Sequence, residues 1–493
     1  MTRALIHEHD WRTTAAWSKD GYFRLENADT GGVPVRLFLT PSLLAEVEPA
    51  LYRQIINATR FPGVRLVAIT PDAHIGYGVP VGSVIVTDRA EGSVAMGPVG
   101  FDIGCGMVSA RSRVPAERAT YDKRLQFNRE VTRRVSLGVG GRSVKLGALS
   151  ERELQAVVRG GAEHYIEAYG ARIDRSRAER QRLPVDDAWQ IPWGGRGKPE
   201  RGLDQLGSLG GGNHFIELQR AEETGTLFVQ IHTGSRGFGH GLATNYFELA
   251  KEEAEREGRP LTDLDLAYFL PSSPHHREYL SAVAAGANFA IVNRLILFEQ
   301  VAEAFHQVFH EELELIYEIS HNLVQAEDLP DYGKVWVHRK GATRAFPAGH
   351  PALWGTIHER TGHPVLIPGS NRDYSYILRP EPGAVRSAYS VNHGAGRRLA
   401  RGEALRRFDQ RHVDEQYRRA EVVVNLDGRV PLDESAACYK PSEEVVAAVV
   451  QAGLARVEHR LWPLASIKGT DERPGQERRG RRGAKARKAK GAR

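Results

Sequence analysis

The sequence predicts an α+β fold in which helices surround mixed β-sheets, and three observations carry that prediction. Short apolar runs broken by glycine fill residues 71–107 and recur up to Tyr439, the texture of strands joined by tight turns. Helical periodicity is concentrated elsewhere, above all between His240 and Gln325. With 493 residues, 41% hydrophobic and 26% charged, the chain can bury a large core and has the balance of a globular protein rather than a disordered or membrane one.

The elements follow in chain order. From Pro41 to Ala58, Leu43, Leu44, Val47, Leu51 and Ile55 recur at helical spacing, and RLVAIT (Arg65 to Thr70) then reads as a strand. PDAHIGYGVPVGSVIVT and MGPVGFDIGCGM continue as strands and glycine turns. Residues 175–201 are rich in Arg, Pro and Gly and read as a surface insertion or loop, because apolar texture resumes on both sides. AVAAGANFAIVNRLILFEQVAEAFHQVF is helical, its small residues allowing close packing, and EISHNL is expected near a helix end. Strands and turns resume up to Tyr439, and a last amphipathic helix is expected from Ser442 to about Val457.

Composition narrows the functional classes. No apolar run approaches the roughly 20 residues of a spanning helix, and MTRALIHEHDW meets charge before any signal-like apolar stretch, so a cytoplasmic location without membrane partners is expected. Two cysteines, Cys105 and Cys438, exclude a disulfide framework. The net charge of +6 is concentrated in Thr470 to Arg493, where ten basic residues face three acidic ones and leave the preceding body at −1. That tail is expected to be disordered and to attract polyanions.

Candidate chemistry lies mostly in glycine-flanked turns: Asp102 and Cys105 in GFDIGCGM, Asn213 and His214 in GGGNHF, His232 in FVQIHTGSRG and His393 in SVNHGAGR, with His321 and Asn322 in SHN. Each histidine alone is more often a satisfied core residue than a ligand. Together they offer oxygen, sulfur and nitrogen donors suited to Mn, Fe, Co or Zn. No P-loop, GxGxxG or KxDG lysine signature is present, so a nucleotide would be activated otherwise, and a neutral imidazole such as His393 is a competent nucleophile toward phosphorus. Three clusters, HTGSRGFGH, HRKGATRAF and HGAGRR, supply donors for an anionic substrate.

In order from about Pro71 to Lys468, the motifs PDAHIGYGVPVG, GFDIGCGM, GGGNHFIELQ, HTGSRGFGH, SHN, HRKGATRAF, PGS…SY, HGAGR and YK resemble the RtcB family of RNA-splicing ligases. The resemblance implies one catalytic domain over residues 1–468, folded around a central polar metal-binding cleft, with 469–493 as an added tail. It implies GTP- and Mn²⁺-dependent joining of RNA 3′-phosphate or 2′,3′-cyclic phosphate ends to 5′-hydroxyl ends through a histidine-GMP intermediate. Asp102, Cys105, His214, His232 and His321 then correspond to the ligands of two Mn²⁺ ions, with Cys105 bridging, and His393 to the guanylylated nucleophile. Asn213, Glu217, Asn322, Ser370, Ser375, Tyr439 and Lys468 correspond to contacts with the guanine nucleotide. Archease is an implied activating partner. PGSNRDYSY departs from the family's PGSMG and sets Arg372 in place of a glycine, which predicts altered nucleotide handling. A noncatalytic RNA-end binding paralogue and a metal-dependent cyclic phosphodiesterase are the alternative readings.

Overall fold

The computed structural model describes residues 5–178, 182–261 and 263–469; beyond Gly469, the basic tail lies outside the described residues. Two large sheets organise the molecule. The first has seven strands in the spatial order Ala15–Trp17, Phe23–Leu25, Val35–Leu37, Val64–His74, Val81–Asp88, Gly333–Lys340 and Asn322–Leu329. The second runs Glu314–Ser320, Gly106–Pro115, Thr226–Thr233, Phe215–Ala221, Ala455–Lys468, Ser375–Pro380 and Val365–Ile367, with the short strand Val423–Val424 added beside Ala455–Lys468. Nearly all neighbouring strands are antiparallel, as an α+β arrangement with hairpin-like connections requires.

Helices cover the second sheet. The longest, His275–Phe309, is apolar on every face because it is enclosed: Ala282, Ala285, Ala287, Ile291, Leu295 and Val301 are fully buried against sheet and neighbouring helices. It is the one helix among the described residues long and apolar enough to cross a membrane, yet 94% of its most apolar window is buried in this fold, as befits a core helix. Gly104 explains how closely sheet and helix meet. It adopts φ 73°, and a β-carbon there would stand 2.7 Å from the Ala287 Cα.

Several boundaries differ from expectation. The Pro41 to Ala58 stretch is two helices, Pro41–Glu46 and Leu51–Ala58, separated at Pro49, which disfavours helical backbone in the residue before it. EISHNL is not at a helix end. His321 joins two strands, Glu314–Ser320 and Asn322–Leu329, because ELIYEIS is β-branched and aromatic and packs inside a sheet. The final helix stops at Gln451, where Gly453 (φ 62°) turns the chain into the Ala455–Lys468 strand. Within residues 175–201, Trp189 and Ile191 are buried, and the Asn288 side chain bonds both backbone groups of Leu183.

Candidate metal centre and nucleotide cleft

Register explains why residues far apart in sequence meet. Gly106 pairs with both Thr233 and Ser320, and Phe215 pairs with both His232 and Lys468, so five adjacent strands end or begin at one edge of the second sheet. The residues at those ends are Cys105, His214, His232, His321 and Lys468. Their carbonyls and amides interlock: the His321 N–H donates to the Cys105 carbonyl at 2.8 Å, and the Gly104 N–H donates to the Asn322 carbonyl at 2.8 Å.

Five side chains converge there. Cys105 Sγ lies 3.3 Å from His232 Nε2 and 3.6 Å from His214 Nε2; His232 Nε2 lies 3.4 Å from His321 Nε2, and His214 Nε2 lies 3.1 Å from Asp102 Oδ2. Two ligand-sized groups result, Cys105 with His232 and His321, and Asp102 with Cys105 and His214, the donor atoms of each lying within 4.8 Å of one another. Cys105 belongs to both. The donor set suits a pair of borderline transition-metal ions sharing a thiolate. His214 and His232 turn Nδ1 to the backbone carbonyls of Leu209 (3.0 Å) and Asn213 (3.1 Å), which fixes their tautomers and leaves Nε2 as the lone-pair donor.

Electrostatics agree with that use. Burial, reinforced by neighbouring imidazoles, holds His232 and His321 well below the usual histidine pKa, so both are neutral as metal ligation demands. Burial favours the neutral form of Asp102, but His214 and the Ser235 N–H outweigh it and bring its pKa to about 2. Burial and the Asp102 charge push the Cys105 thiol well above its ordinary value, a repulsion that a bound cation would reverse.

Behind these residues sits a group the sequence reading missed. The Arg294 guanidinium, fully buried on the core helix and paired with Glu318, donates to the Gly104 carbonyl (2.6 Å), the Thr233 carbonyl (3.0 Å) and Ser320 Oγ (2.7 Å). Those three residues flank Cys105, His232 and His321. One cation thus ties together three strand ends that carry the candidate donors. Arg294→Met should cost about 3–5 kcal/mol of stability by leaving Glu318 buried and unpaired. Arg294→Met/Glu318→Leu should recover much of that loss in urea unfolding yet still bind Mn²⁺ more weakly than wild type by calorimetry. Wild-type affinity in the double variant would show that the guanidinium does not position the ligands.

His393 stands beside this cluster, its ring 4.7 Å from that of His321. Its Nδ1 hydrogen-bonds Asp72 Oδ2 at 2.7 Å, and Thr70 donates to the other carboxylate oxygen at 2.6 Å. Burial raises the Asp72 pKa, but His393 and Thr70 outweigh it and hold the carboxyl below its usual range. Nδ1 is therefore committed, leaving Nε2 as the reactive nitrogen. Gly341 (φ 59°) permits the arrangement, since a β-carbon there would lie 2.8 Å from His393 Cε1. Asp72 lay within a quoted motif, PDAHIGYGVPVG, which was the signal for it.

A cleft of about 440 Å³ joins these parts, lined by Asp102, Cys105, Asn213, His232, His321, Asn322, His393, Tyr439 and Lys468. Asn322 also has a structural task, donating to the Asp102 carbonyl (3.0 Å) and accepting from the Gly341 N–H (2.8 Å). Tyr439 and Lys468 are tied to buried Glu434, which also gathers Arg397 and Arg401. His214, Glu217 and Ser375 are buried outside the cleft lining, and Ser370 lines an adjoining cavity of about 520 Å³. Gln219 connects the two deep residues by donating to Glu217 (2.7 Å) and to Ser375 Oγ (3.1 Å). Lys340, from the HRKGATRAF cluster, lines the cleft with its pKa lowered by burial to about 7.

The divergent loop is accommodated without left-handed backbone at Arg372, whose φ is negative. Buried Asn371 accepts from the Tyr417 hydroxyl, Asp373 accepts from the Ser442 N–H at the start of a helix (2.8 Å), and the Arg372 guanidinium lies over the Tyr417 ring at 5.4 Å.

Fold and site together define a protein with a thiolate- and histidine-rich metal-type cluster opening into the same cleft as a carboxylate-held histidine. Residues 54–469 match the family described as tRNA-splicing ligase RtcB. Among curated relatives, the chain is 35% identical to the tRNA-splicing ligase RtcB of Pyrobaculum aerophilum, covering 89% of this chain and 95% of that protein. It is 36% identical to the RNA-splicing ligase RtcB of Mycobacterium bovis, covering 84% of this chain and all of the relative. The chain belongs to the RtcB family.

Proposed function

We propose that the protein is a GTP- and Mn²⁺-dependent RNA ligase that seals 3′-phosphate or 2′,3′-cyclic phosphate ends to 5′-hydroxyl ends through GMP carried on His393. The observation that supports this most is the placement of His393, with Nδ1 held by Asp72 and its ring 4.7 Å from His321 of the donor cluster. Asp102, Cys105, His214, His232 and His321 would hold two Mn²⁺ ions, which when bound neutralise triphosphate charge and polarise the attacked phosphorus. His393 Nε2 attacks the α-phosphorus of GTP; the N–P bond forms as the P–O bond to pyrophosphate breaks. Asp72 keeps the ring oriented and stabilises the positive charge it acquires. A cyclic phosphate end first adds water, breaking its P–O2′ bond to give the 3′-phosphate; a 3′-phosphate oxygen then takes GMP as the His393 N–P bond breaks, and the 5′-hydroxyl, losing its proton, attacks the activated 3′-phosphorus and expels GMP.

Glu217, Asn213, Asn322, Ser370, Ser375, Tyr439 and Lys468 form the nucleotide side of this reading, with Glu217 accepting from the guanine edge. Burial raises the Glu217 carboxyl from 4.5 to about 7, against the opposing pull of Gln219 and Lys468. In the ligand-free protein its stabilising contribution is complete below pH 4.5 and is lost as pH rises through about 7. Guanine needs the ionised form, so GMP affinity should rise roughly tenfold between pH 6 and pH 8, and Glu217→Gln should flatten that profile. A pH-independent affinity in the wild type would remove Glu217 from guanine recognition. The whole reading is tested by intact mass after incubation with GTP and Mn²⁺ and by sealing of a 3′-phosphate RNA to a 5′-hydroxyl RNA. Opening of a cyclic phosphate with neither GMP adduct nor sealing would favour a phosphodiesterase instead.

A further inference from the structure

The turn at residues 76–79 is held more firmly than a surface turn needs to be. Gln54 bonds both backbone groups of Gly76 (2.6 and 2.9 Å), Asn57 donates to the Gly78 carbonyl (2.9 Å), and Lys340 Nζ donates to the carbonyls of Tyr77 (2.8 Å) and Val79 (3.1 Å). These bonds fix a backbone whose one large side chain is left out of the core. Tyr77 is 63% exposed. A single exposed aromatic is unremarkable by itself, and Trp354 and Trp17 are similarly open. Tyr77 differs from both in lining the cleft that contains Asp102, Cys105 and His393.

Its ring is also backed by others. Tyr77 meets Phe101 edge to face at 5.4 Å, and Phe101 stacks on His240 (5.2 Å) and on Phe247 (5.1 Å). Phe101 lines the cleft too and immediately precedes Asp102. An aromatic chain therefore runs from the protein interior to the rim, ending beside one side of the donor cluster. Tyr439 and Lys468, on the proposed guanine side, belong to other segments of the same lining. An RNA end brought to the metal site arrives with its base unpaired, and every base has a π-face that an immobile aromatic ring can hold.

We propose that Tyr77, backed by Phe101, is a stacking platform for the terminal base of the RNA end delivered to the cleft. This rests on the reading of the protein as an RNA-end ligase and adds how that RNA is positioned: the ring holds the base by its face, without reading its identity, while the phosphate or hydroxyl at the end reaches the donor cluster. Tyr77 is a binding residue in this scheme and carries no proton or electron in the reaction.

The test uses the full chain with Mn²⁺ and without GTP, so that no turnover occurs. Short single-stranded RNAs carry 2-aminopurine either at the 5′-hydroxyl nucleotide or at the 3′-phosphate nucleotide, and the two probes report which end is stacked. Wild-type protein should quench the fluorescence of one probe. Tyr77→Ala should lose that quench and bind about 5- to 100-fold more weakly, whereas Tyr77→Phe and Tyr77→Trp should keep both. An abasic nucleotide at the quenched position should bind the wild type as weakly as the intact RNA binds Tyr77→Ala. Equal quench and affinity in wild type and a natively folded Tyr77→Ala, checked by urea midpoint, would overturn the platform and leave the ring to a protein partner. Incubation with GTP separates the two readings: Tyr77-dependent quench without a GMP adduct would sink the ligase reading alone, and an adduct without Tyr77-dependent quench would sink the platform alone.

Discussion

His393→Ala should leave the protein folded and unable to gain the mass of GMP after incubation with GTP and Mn²⁺. Sealing should fall by at least about 1,000-fold, since in the proposed reaction His393 is the covalent nucleophile and its loss would remove the chemical step itself. The expectation follows from geometry: Nδ1 is held by Asp72 and Nε2 is the ring nitrogen left for attack. Asp72→Asn should be an intermediate case. It preserves shape but weakens the charge that steadies a cationic ring, so the adduct should form slowly rather than not at all. A GMP mass retained by His393→Ala would move the nucleophile elsewhere, and Asp72→Asn at wild-type rate would make the 2.7 Å contact incidental to catalysis.

Cys105→Ala should have the other large effect, because its thiolate belongs to both ligand groups. On the proposed reading Cys105 would serve both ions, so its loss would take a donor from each, and Mn²⁺ affinity should drop more than about 100-fold, beyond what loss of an outer-sphere partner costs. Cys105→Ser should restore little, a hydroxyl being a poor bridging donor at neutral pH. Calorimetric titration with Mn²⁺ gives the stoichiometry and affinity together. Two ions bound to Cys105→Ala with wild-type affinity would exclude a shared ligand.

The sequence carried the donors more legibly than their support. Asp102, Cys105, His214, His232 and His321 sit in short motifs that are weak signals singly and that the family resemblance groups into one ligand set, and the structure brings all five together. Glycine turns signalled strand ends, and the α+β class followed from that texture. Register was not legible. Nothing local says that Gly106 faces Thr233 and Ser320, or that Phe215 faces Lys468, yet those pairings build the site. Arg294 and Glu434 escaped for the same reason: each gathers charged or polar partners more than twenty residues away, Glu318 and Gly104 for the first and Lys468, Arg397 and Arg401 for the second, and each looks locally like an ordinary charge. His321 was misplaced because the apolar helix before it dominates the neighbourhood, although the β-branched and aromatic content of ELIYEIS already favoured a strand.

Strand Ala455–Lys468 lies inside the second sheet, between Phe215–Ala221 and Ser375–Pro380. Both neighbours leave the ribosome earlier, the first by more than two hundred residues. At usual translation rates, Phe215–Ala221 waits on the order of ten seconds or more with one backbone edge unmatched. Such an edge is an invitation to pair with another nascent chain. The sheet that holds the donor cluster therefore cannot close while synthesis is under way, and the protein should depend on protection of that edge during its birth. Production at lower temperature or with added chaperones should raise soluble yield for this topological reason, independently of the stability of the finished fold.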